Sequence, residues 1–448
     1  MRNSATLVEQ ALSGKNSKAT MKLYENYTKL VEKHLGKSLD FERKLLYTQQ
    51  LENGRKLQEA TNTSNIPSKT FFMDMLTAVV PNLIAPDIVS TQPLEAKFGQ
   101  ISYLRFTYGT DKGATKAGTM FNNSLYTGVS DPFYTSRDIT DEPVTNGVNF
   151  AFIPILPGTV QITIPDGTVY TDDSAGNLIN PANPGTPVGT INYATGAFTC
   201  ATATDGSTAN YQYNNEQVPD LMVPEMNMQL GQIPIVCKSR KLAAFWGFDA
   251  AFDLKQQYGA SILDVLSAQA AGEIAHEIDT EIALALLAQA AAGPELTWCA
   301  TPPHGVNMLD HYDSFAIRLN YGCQQVFQAT QRVEPNFMIC GTNVAAVLTS
   351  MRNFDGSPAK GAVGPHFIGT LNGKFKCYVV PRMDPNKFVL GYKGDNFLEA
   401  GFVYAPYMSV ATTDVLMPAD FRGQQGYATS YGTRMVNGRM YLKGRIYE

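Results

Sequence analysis

The motif most suggestive of metal chemistry in this sequence is Glu273-x-x-His276, which lies within a predicted helix. This spacing is that of one half of a carboxylate-bridged di-iron site. A complete site needs a second Glu-x-x-His motif and two further glutamates on facing helices, and the sequence has no second such motif. We therefore favour an ordinary pair on one helix face, and we expect neither a metal nor a cofactor here.

A second cluster combines His304 and His311 with Asp310 and Asp313, just before a helix that the pattern predicts over residues 312–332. Aspartate at the start of a helix commonly accepts hydrogen bonds from unpaired backbone N–H groups. We therefore expect Asp310 or Asp313 to cap this helix, in preference to a metal or catalytic centre.

Acidic turns form a third group of candidates, because carboxylate oxygens are ligands that calcium prefers. None of the turns has the spacing of an EF-hand loop, so we expect them to be turn-forming residues. The residues concerned are Asp166, Asp172, Asp173 and Asp205.

Catalytic motifs are missing from the sequence. It has only five histidines and contains no GxxxxGK[ST] phosphate loop, no GxSxG elbow and no HExxH motif. We expect the chain not to be an enzyme, with no catalytic, cofactor-binding or metal-binding residue.

Composition indicates a soluble protein with more than one domain. The chain has 448 residues, 44% of them hydrophobic, and a net charge of −5, which argues against general nucleic-acid binding by the whole chain. No apolar run reaches the length of a membrane span, and the N-terminus lacks the apolar region of a secretory signal. The six cysteines form no CxxC pair, which is typical of reduced, buried thiols.

The first sixty residues predict a basic helical arm. They contain eleven Lys/Arg against seven Asp/Glu, and apolar residues recur at helical spacing over 23–35 and 41–57. A polar linker follows at 61–68, and a short helix limited by Pro81 is predicted over 71–80. The arm is either solvated or docked on a neighbouring copy of the chain.

One hundred residues between Arg137 and Lys238 contain no lysine or arginine and ten acidic residues. Short β-type runs alternate there with Gly-, Asp- and Pro-containing turns, a pattern typical of a small antiparallel sandwich or barrel. Before this stretch, 101–108 predicts a strand and 109–128 an exposed loop. After it, 238–248 predicts a returning strand, 261–291 one long Ala-rich helix, and the remainder a mixed α/β lobe.

Several segments together resemble the major capsid proteins of contractile-tailed bacteriophages. They are VPNLIA at 80–85, IVS at 88–90, LRF at 104–106, VCKSRKL at 236–242, the helical stretch 261–286, and EPNF at 334–337. The resemblance implies an α+β shell fold of the Hong Kong 97-like (HK97-like) type. Its expected parts are an N-terminal arm (1–68), the start of the peripheral domain and extended loop (69–137), an inserted all-β domain (138–237), the return strand and spine helix (238–310), an axial α/β domain (311–410) and C-terminal strands (411–448).

The resemblance also draws attention to Leu57-Gln58-Glu59 followed by Ala60, which is similar to the cleavage signal of prohead proteases in such phages. A triplet of this kind also arises by chance. An intact, ordered arm is the favoured alternative to cleavage between Glu59 and Ala60.

The function that the resemblance implies is assembly of an icosahedral head shell around double-stranded DNA. The expected partners are other copies of the chain in hexamers and pentamers, together with decoration, portal and scaffold proteins. No membrane partner is expected, and the expected location is the virion, after assembly in the host cytoplasm. The alternatives are an encapsulin-like compartment shell of the same fold, and a phage tail or decoration protein.

Overall fold

The computed structural model describes residues 28–29, 31–33, 38–39, 41–60, 83–119, 134–200, 202–203, 206–214, 216, 223–259, 261–357, 364–394, 399–413, 415 and 422–447. The linker at 61–68, the helix at 71–80 and most of the first arm helix lie outside these residues. The chain divides into two compact units, one of residues 1–103 with 232–448 and one of residues 104–231. The six predicted domain ranges stay predictions.

Helices in the described residues belong to the first unit. They are α1 (Phe41–Ala60), α2 (Ala85–Ile88), α3 (Phe248–Tyr258), α4 (Ile262–Gln289), α5 (Met308–Thr330) and α6 (Thr342–Thr349), with a 3₁₀ turn at Gly438–Met440. Among the described helices, none is both long and apolar enough to cross a membrane.

The described part of the chain also contains twenty strands. In chain order they are β1 (Ser90–Thr91), β2 (Phe98–Tyr108), β3 (Asp138–Val144), β4 (Gln161–Thr163), β5 (Val169–Asp172), β6 (Asn177–Asn180), β7 (Asn183–Ile191), β8 (Phe198–Cys200), β9 (Ser207–Gln212), β10 (Met226–Val236), β11 (Lys238–Gly247), β12 (Leu296–Cys299), β13 (Phe337–Cys340), β14 (Phe354–Gly356), β15 (His366–Leu371), β16 (Phe375–Val379), β17 (Lys387–Gly391), β18 (Phe402–Thr412), β19 (Arg422–Met435) and β20 (Tyr441–Tyr447).

The long helix α4 confirms the prediction over 261–291. Alanine and leucine favour the helix, and one stripe of small and branched side chains is buried along it. The stripe contains Ala270, Ile274, Ala275, Ile278, Ile282 and Leu286. At 28 residues the helix is about 42 Å long. It packs over a four-stranded sheet of order β1-β18-β19-β11, in which β11 pairs antiparallel with β19 along ten residues.

The mixed α/β lobe is built on a seven-stranded sheet of order β12-β20-β17-β13-β16-β15-β14. Its central strand β13 is buried at all four positions, and α5 and α6 supply the apolar side chains that cover the sheet. Helix α5 begins at Met308, four residues before the predicted start, so His311 lies in its first turn and not in a preceding loop.

The second unit contains a seven-stranded antiparallel sheet of order β3-β9-β4-β5-β6-β7-β8. Strand β9 alternates buried and partly buried residues, and the buried side chains of the unit form one apolar cluster. The strands are hydrogen-bonded in one continuous antiparallel order, so the predicted all-β character is confirmed, and its sandwich or barrel form stays a prediction. The predicted loop after β2 is exposed only in part where it is described, because Lys112 and Thr115 are buried whereas residues 116–118 are exposed.

The described part of the N-terminal arm corrects the prediction of a solvated arm. In α1 the six side chains from Leu46 to Leu51 are all buried, and Asn53 is buried as well. The apolar spacing predicts the helix correctly, but the helix packs on its own chain.

Candidate assembly interface

The ribbon of β2 and β10 exposes a row of large apolar side chains. Met226, Met228 and Leu230 occupy alternate positions of β10 and are each more than 60% exposed. Alternate residues of a strand point to the same face, so the three side chains form one apolar stripe. A two-stranded ribbon is marginally stable by itself, and an exposed apolar stripe is typical of a surface that another protein covers.

Strand β11 forms one edge of the four-stranded sheet, because its only strand partner in the described residues is β19. Phe245 on this edge is 62% exposed, and Leu242 is also exposed. An edge strand presents unpaired backbone N–H and C=O groups, which can pair with a strand of another chain. The strand therefore offers both backbone and apolar contacts.

Helix α3 continues this surface along the chain. None of its side chains is buried, and Phe248 and Phe252, four residues apart, lie on one exposed face. It ends at Gly259, whose φ of +66° is the left-handed conformation that glycine adopts readily. An amphipathic helix ordinarily buries its apolar face, so α3 has the character of an interface helix.

Helix α5 presents a further exposed apolar patch in the α/β lobe. Ile317, which is 72% exposed, and Tyr321 lie four residues apart on the face opposite the buried Leu319 and Cys323. The Arg318 guanidinium lies 5.3 Å from the centre of the Tyr321 ring. Exposed tyrosine and arginine side chains are enriched among the residues that dominate binding at protein interfaces.

The edge strand β11 is anchored to the long helix through Arg240. Its guanidinium donates to Glu281, lies 3.8 Å from a Glu277 carboxylate oxygen and stacks 5.3 Å from the Tyr431 ring centre. Tyr431 donates its hydroxyl to the same Glu281, and burial raises the pKa of Tyr431. These contacts fix the position of β11 against α4, so the apolar side chains of this edge are held on a rigid element.

The candidate di-iron motif lies on α4, and the absence of a metal there stays a prediction. Glu273 forms an ion pair with Arg382 at 2.6 Å, and burial is the main cause that lowers the pKa of His276. Across the part of the chain that the structure describes, no group of three or more His, Cys, Asp or Glu side chains could hold a metal ion.

The capping prediction for Asp310 and Asp313 is wrong. Asn307 stands at the N-cap of α5, and no side chain caps the helix there. Both carboxylates instead form ion pairs with Arg352, at 2.8 Å for Asp310 and 3.6 Å for Asp313. These ion pairs join the start of α5 to the segment after α6.

The histidines of this cluster are placed apart. His304 is exposed, and His311 stacks on Trp298 and contacts the Cys299 carbonyl oxygen at 2.8 Å. All six cysteines are free thiols, and five of them are buried.

The acidic turns are occupied by donors of the chain itself, as predicted for turn-forming residues. Asp172 accepts hydrogen bonds from the Gly158 N–H and the Tyr193 hydroxyl. Asp173 accepts from the backbone and side chain of Asn177, and Asp166 from the Thr168 N–H. Asp205 lies outside the described residues. These carboxylates build turns in the second unit.

The sequence did not predict the buried charged residues, among them Asp279 and Lys112. Asp279 lies on the buried stripe of α4. Its carboxylate accepts hydrogen bonds from the Ile84 and Ala85 N–H groups at 3.0 and 3.1 Å. Burial raises the pKa of Asp279 to about 7. Lys112 donates to the carbonyl oxygens of Tyr134 and Ser136. Asp279 could have been found as an acid at helical spacing from Ala275, Ile282 and Leu286. The sequence around Lys112 contains no comparable pattern that would predict its burial.

The predicted cleavage residues Glu59 and Ala60 are the last two residues of α1. No contact of their side chains is described, and cleavage stays a prediction.

Comparison with known proteins gives a consistent result. Residues 68–445 match the family described as major capsid protein Gp23. The major capsid protein of Enterobacteria phage T6 is 28% identical over 397 residues, which cover 80% of this chain and 76% of that protein. The major capsid protein of Vibrio phage KVP40 is 25% identical over 403 residues, covering 81% and 75%. Among solved structures, that of Mycobacterium phage Bobi aligns with a TM-score of 0.40 at 8% identity, covering 82% of this chain and 91% of that one.

Proposed function

The chain belongs to the Gp23 family of major capsid proteins, and from this premise we propose how its copies build a shell. The family match over residues 68–445 carries the conclusion that the chain is a structural subunit of a phage head. The predicted family, HK97-like α+β fold class and structural function are thereby confirmed. The encapsulin-like and tail or decoration alternatives have no comparable support.

We propose that copies assemble as hexamers and pentamers through the ribbon, the β11 edge, α3 and the outer face of α5. These four surfaces together carry a large share of the exposed apolar side chains of the described residues. Each contact can be weak, because a subunit held by several neighbours at once gains affinity through multivalency. The β11 edge would add backbone hydrogen bonds by strand pairing, and α3 would place Phe248 and Phe252 in an apolar groove of a neighbour.

We also propose that the second unit faces outward, away from the genome. Residues 104–231 contain twelve acidic and four basic residues, a net charge of −8, so the rest of the chain carries +3. A surface of that charge repels the phosphate backbone of DNA. The outward face would then be the one that meets decoration proteins, whereas portal and scaffold proteins would contact the inner surface of the shell.

Cleavage between Glu59 and Ala60 by a prohead protease is a further part of the proposal. The family match starts at residue 68, eight residues after Ala60, so the arm lies outside the part of the chain that resembles the family. Assembly in the host cytoplasm would precede this cleavage.

Electron microscopy of the expressed chain tests the assembly proposal. We expect closed icosahedral shells with hexamers and pentamers as capsomers. Rings or open tubes as the only products would contradict it. Particles from infected cells should contain nuclease-protected double-stranded DNA, whereas particles that enclose protein cargo would favour the encapsulin-like alternative.

A further inference from the structure

Helix α1 docks on its own chain through a face that is largely polar. Its buried side chains include Thr48, Gln49, Gln50 and Asn53, beside the apolar Leu46, Tyr47 and Leu51. Burial raises the pKa of Tyr47 to about 12. Interfaces that form and separate are more polar than permanent cores, so this composition is that of a separable element.

The first turn of α1 is held by ion pairs. The Lys393 ammonium lies 2.9 Å from a Glu42 carboxylate oxygen, with both side chains less than 20% exposed, and it also donates to the Pro86 carbonyl oxygen. Arg43 binds Asp87 at 2.7 Å. The start of α1 is therefore tied to α2 and to the segment after β17.

The middle of α1 is held through one amide. The Asn53 Nδ2 donates to the carbonyl oxygens of Leu94 and Tyr407 at 2.8 and 2.6 Å. Its own Oδ1 accepts from the Gln49 side chain at 3.1 Å, which fixes the orientation of the amide. One side chain thus joins the helix to two separate segments of the body.

All of these docking contacts lie on the N-terminal side of Glu59. The contacting residues of α1 are numbered 42 to 53, and their partners on the body are numbered 86 to 407. Breaking the peptide bond between Glu59 and Ala60 therefore severs the chain and leaves each of these contacts intact.

We propose that α1 stays bound in its groove after the chain is cut, so that cleavage and release of the arm are separate steps. This inference rests on the proposed cleavage at Glu59. The severed arm becomes a ligand whose dissociation rate is set by the Asn53 amide and the Lys393 ion pair. Its departure uncovers the groove beside Leu94 and leaves Lys393 without the Glu42 carboxylate.

The test cuts the full-length chain independently of any phage protease. The recognition sequence of a site-specific protease is inserted between Ala60 and Thr61, and the chain is cut to completion. Size-exclusion chromatography and mass spectrometry then follow the arm. We expect it to elute with the body in the unmodified sequence. We expect Asn53→Ala combined with Lys393→Met to release it at least ~tenfold faster, because two neutral hydrogen bonds and a half-buried ion pair are lost.

Lys374→Met is the matched control, since it removes the ion pair of Lys374 with Glu334 at a site away from α1. Tryptophan fluorescence before the cut shows whether each variant is folded. Immediate loss of the arm from the unmodified sequence would overturn the inference, as would equal retention by the double variant and the control. Since the cut is introduced, lack of natural cleavage at Glu59 would refute the proposed processing without altering this result.

Discussion

The buried carboxylate of Asp279 predicts a specific dependence of stability on pH. Burial is the main cause that raises the pKa of Asp279 from 3.8 to about 7, and the hydrogen bonds from Ile84 and Ala85 oppose it. The native state therefore holds a proton that the unfolded chain has lost. Its contribution to stability is fully present below pH 4 and is lost as pH rises to 7.

The size of the effect follows from the shift. About three pKa units at 1.36 kcal/mol each amount to roughly 4 kcal/mol between pH 3 and pH 8. Between pH 5 and pH 8 we expect about 2–3 kcal/mol of this change. That is a large fraction of the 5–15 kcal/mol by which domains are ordinarily stable.

Asp279→Asn isolates this contribution because asparagine carries no charge at any of these pH values. The variant loses one of two acceptors for the Ile84 and Ala85 N–H groups, a cost of about 1–3 kcal/mol that does not depend on pH. Denaturant unfolding is followed by tryptophan fluorescence, since Trp246 and Trp298, the two tryptophans of the chain, both belong to the unit that contains Asp279.

We expect the variant to gain stability relative to the unmodified chain as pH rises from 5 to 8. Asp264→Asn, which changes an exposed aspartate of the same helix, should leave the pH dependence unaltered. Stability curves of the Asp279 variant and the unmodified chain that run parallel over this range would refute the reasoning.

Three further predictions concern other parts of the chain. Phe245→Asp should abolish shells in electron micrographs and leave the denaturant midpoint unchanged, because Phe245 is exposed on the β11 edge; Val148→Asp, at an exposed position of the second unit, is the control. Lys112→Met should destabilise the second unit by about 1–3 kcal/mol, seen as faster hydrogen exchange in residues 134–144, because the Tyr134 and Ser136 carbonyl oxygens lose the hydrogen bonds from the Lys112 ammonium. Arg352→Ala should lower the free energy of unfolding, measured with denaturant, by less than about 1 kcal/mol, because its ion pairs are exposed; a larger loss would mean that they hold the lobe together.

Periodicity and turn chemistry were enough to predict many elements of the fold. The stretch 261–291 has no proline and a clear apolar stripe, so α4 was placed within a few residues of its ends. Most strands of the second unit were marked by turn residues, although β3 and β6 were missed because neither shows apolar alternation as clear as that of its neighbours. The start of α5 was misplaced because its first turn, Met308 to His311, contains polar residues that also suit a loop.

The position of α1 could not be predicted, for a physical reason that bears on the assembly proposal. A helix with Glu42, Gln49 and Asn53 on its surface satisfies the pattern of a solvated arm. The groups that turn these polar side chains into docking contacts lie far away in sequence, among them the carbonyl oxygens of Leu94 and Tyr407 and the Lys393 ammonium. The exposed apolar groups of β10, β11 and α3 present the converse case. Their pattern is that of an interior, yet no residue in the part of the chain that the structure describes buries them. Both observations agree with the proposal that further copies of the chain cover these apolar surfaces, whereas α1 already contacts its own chain within one copy.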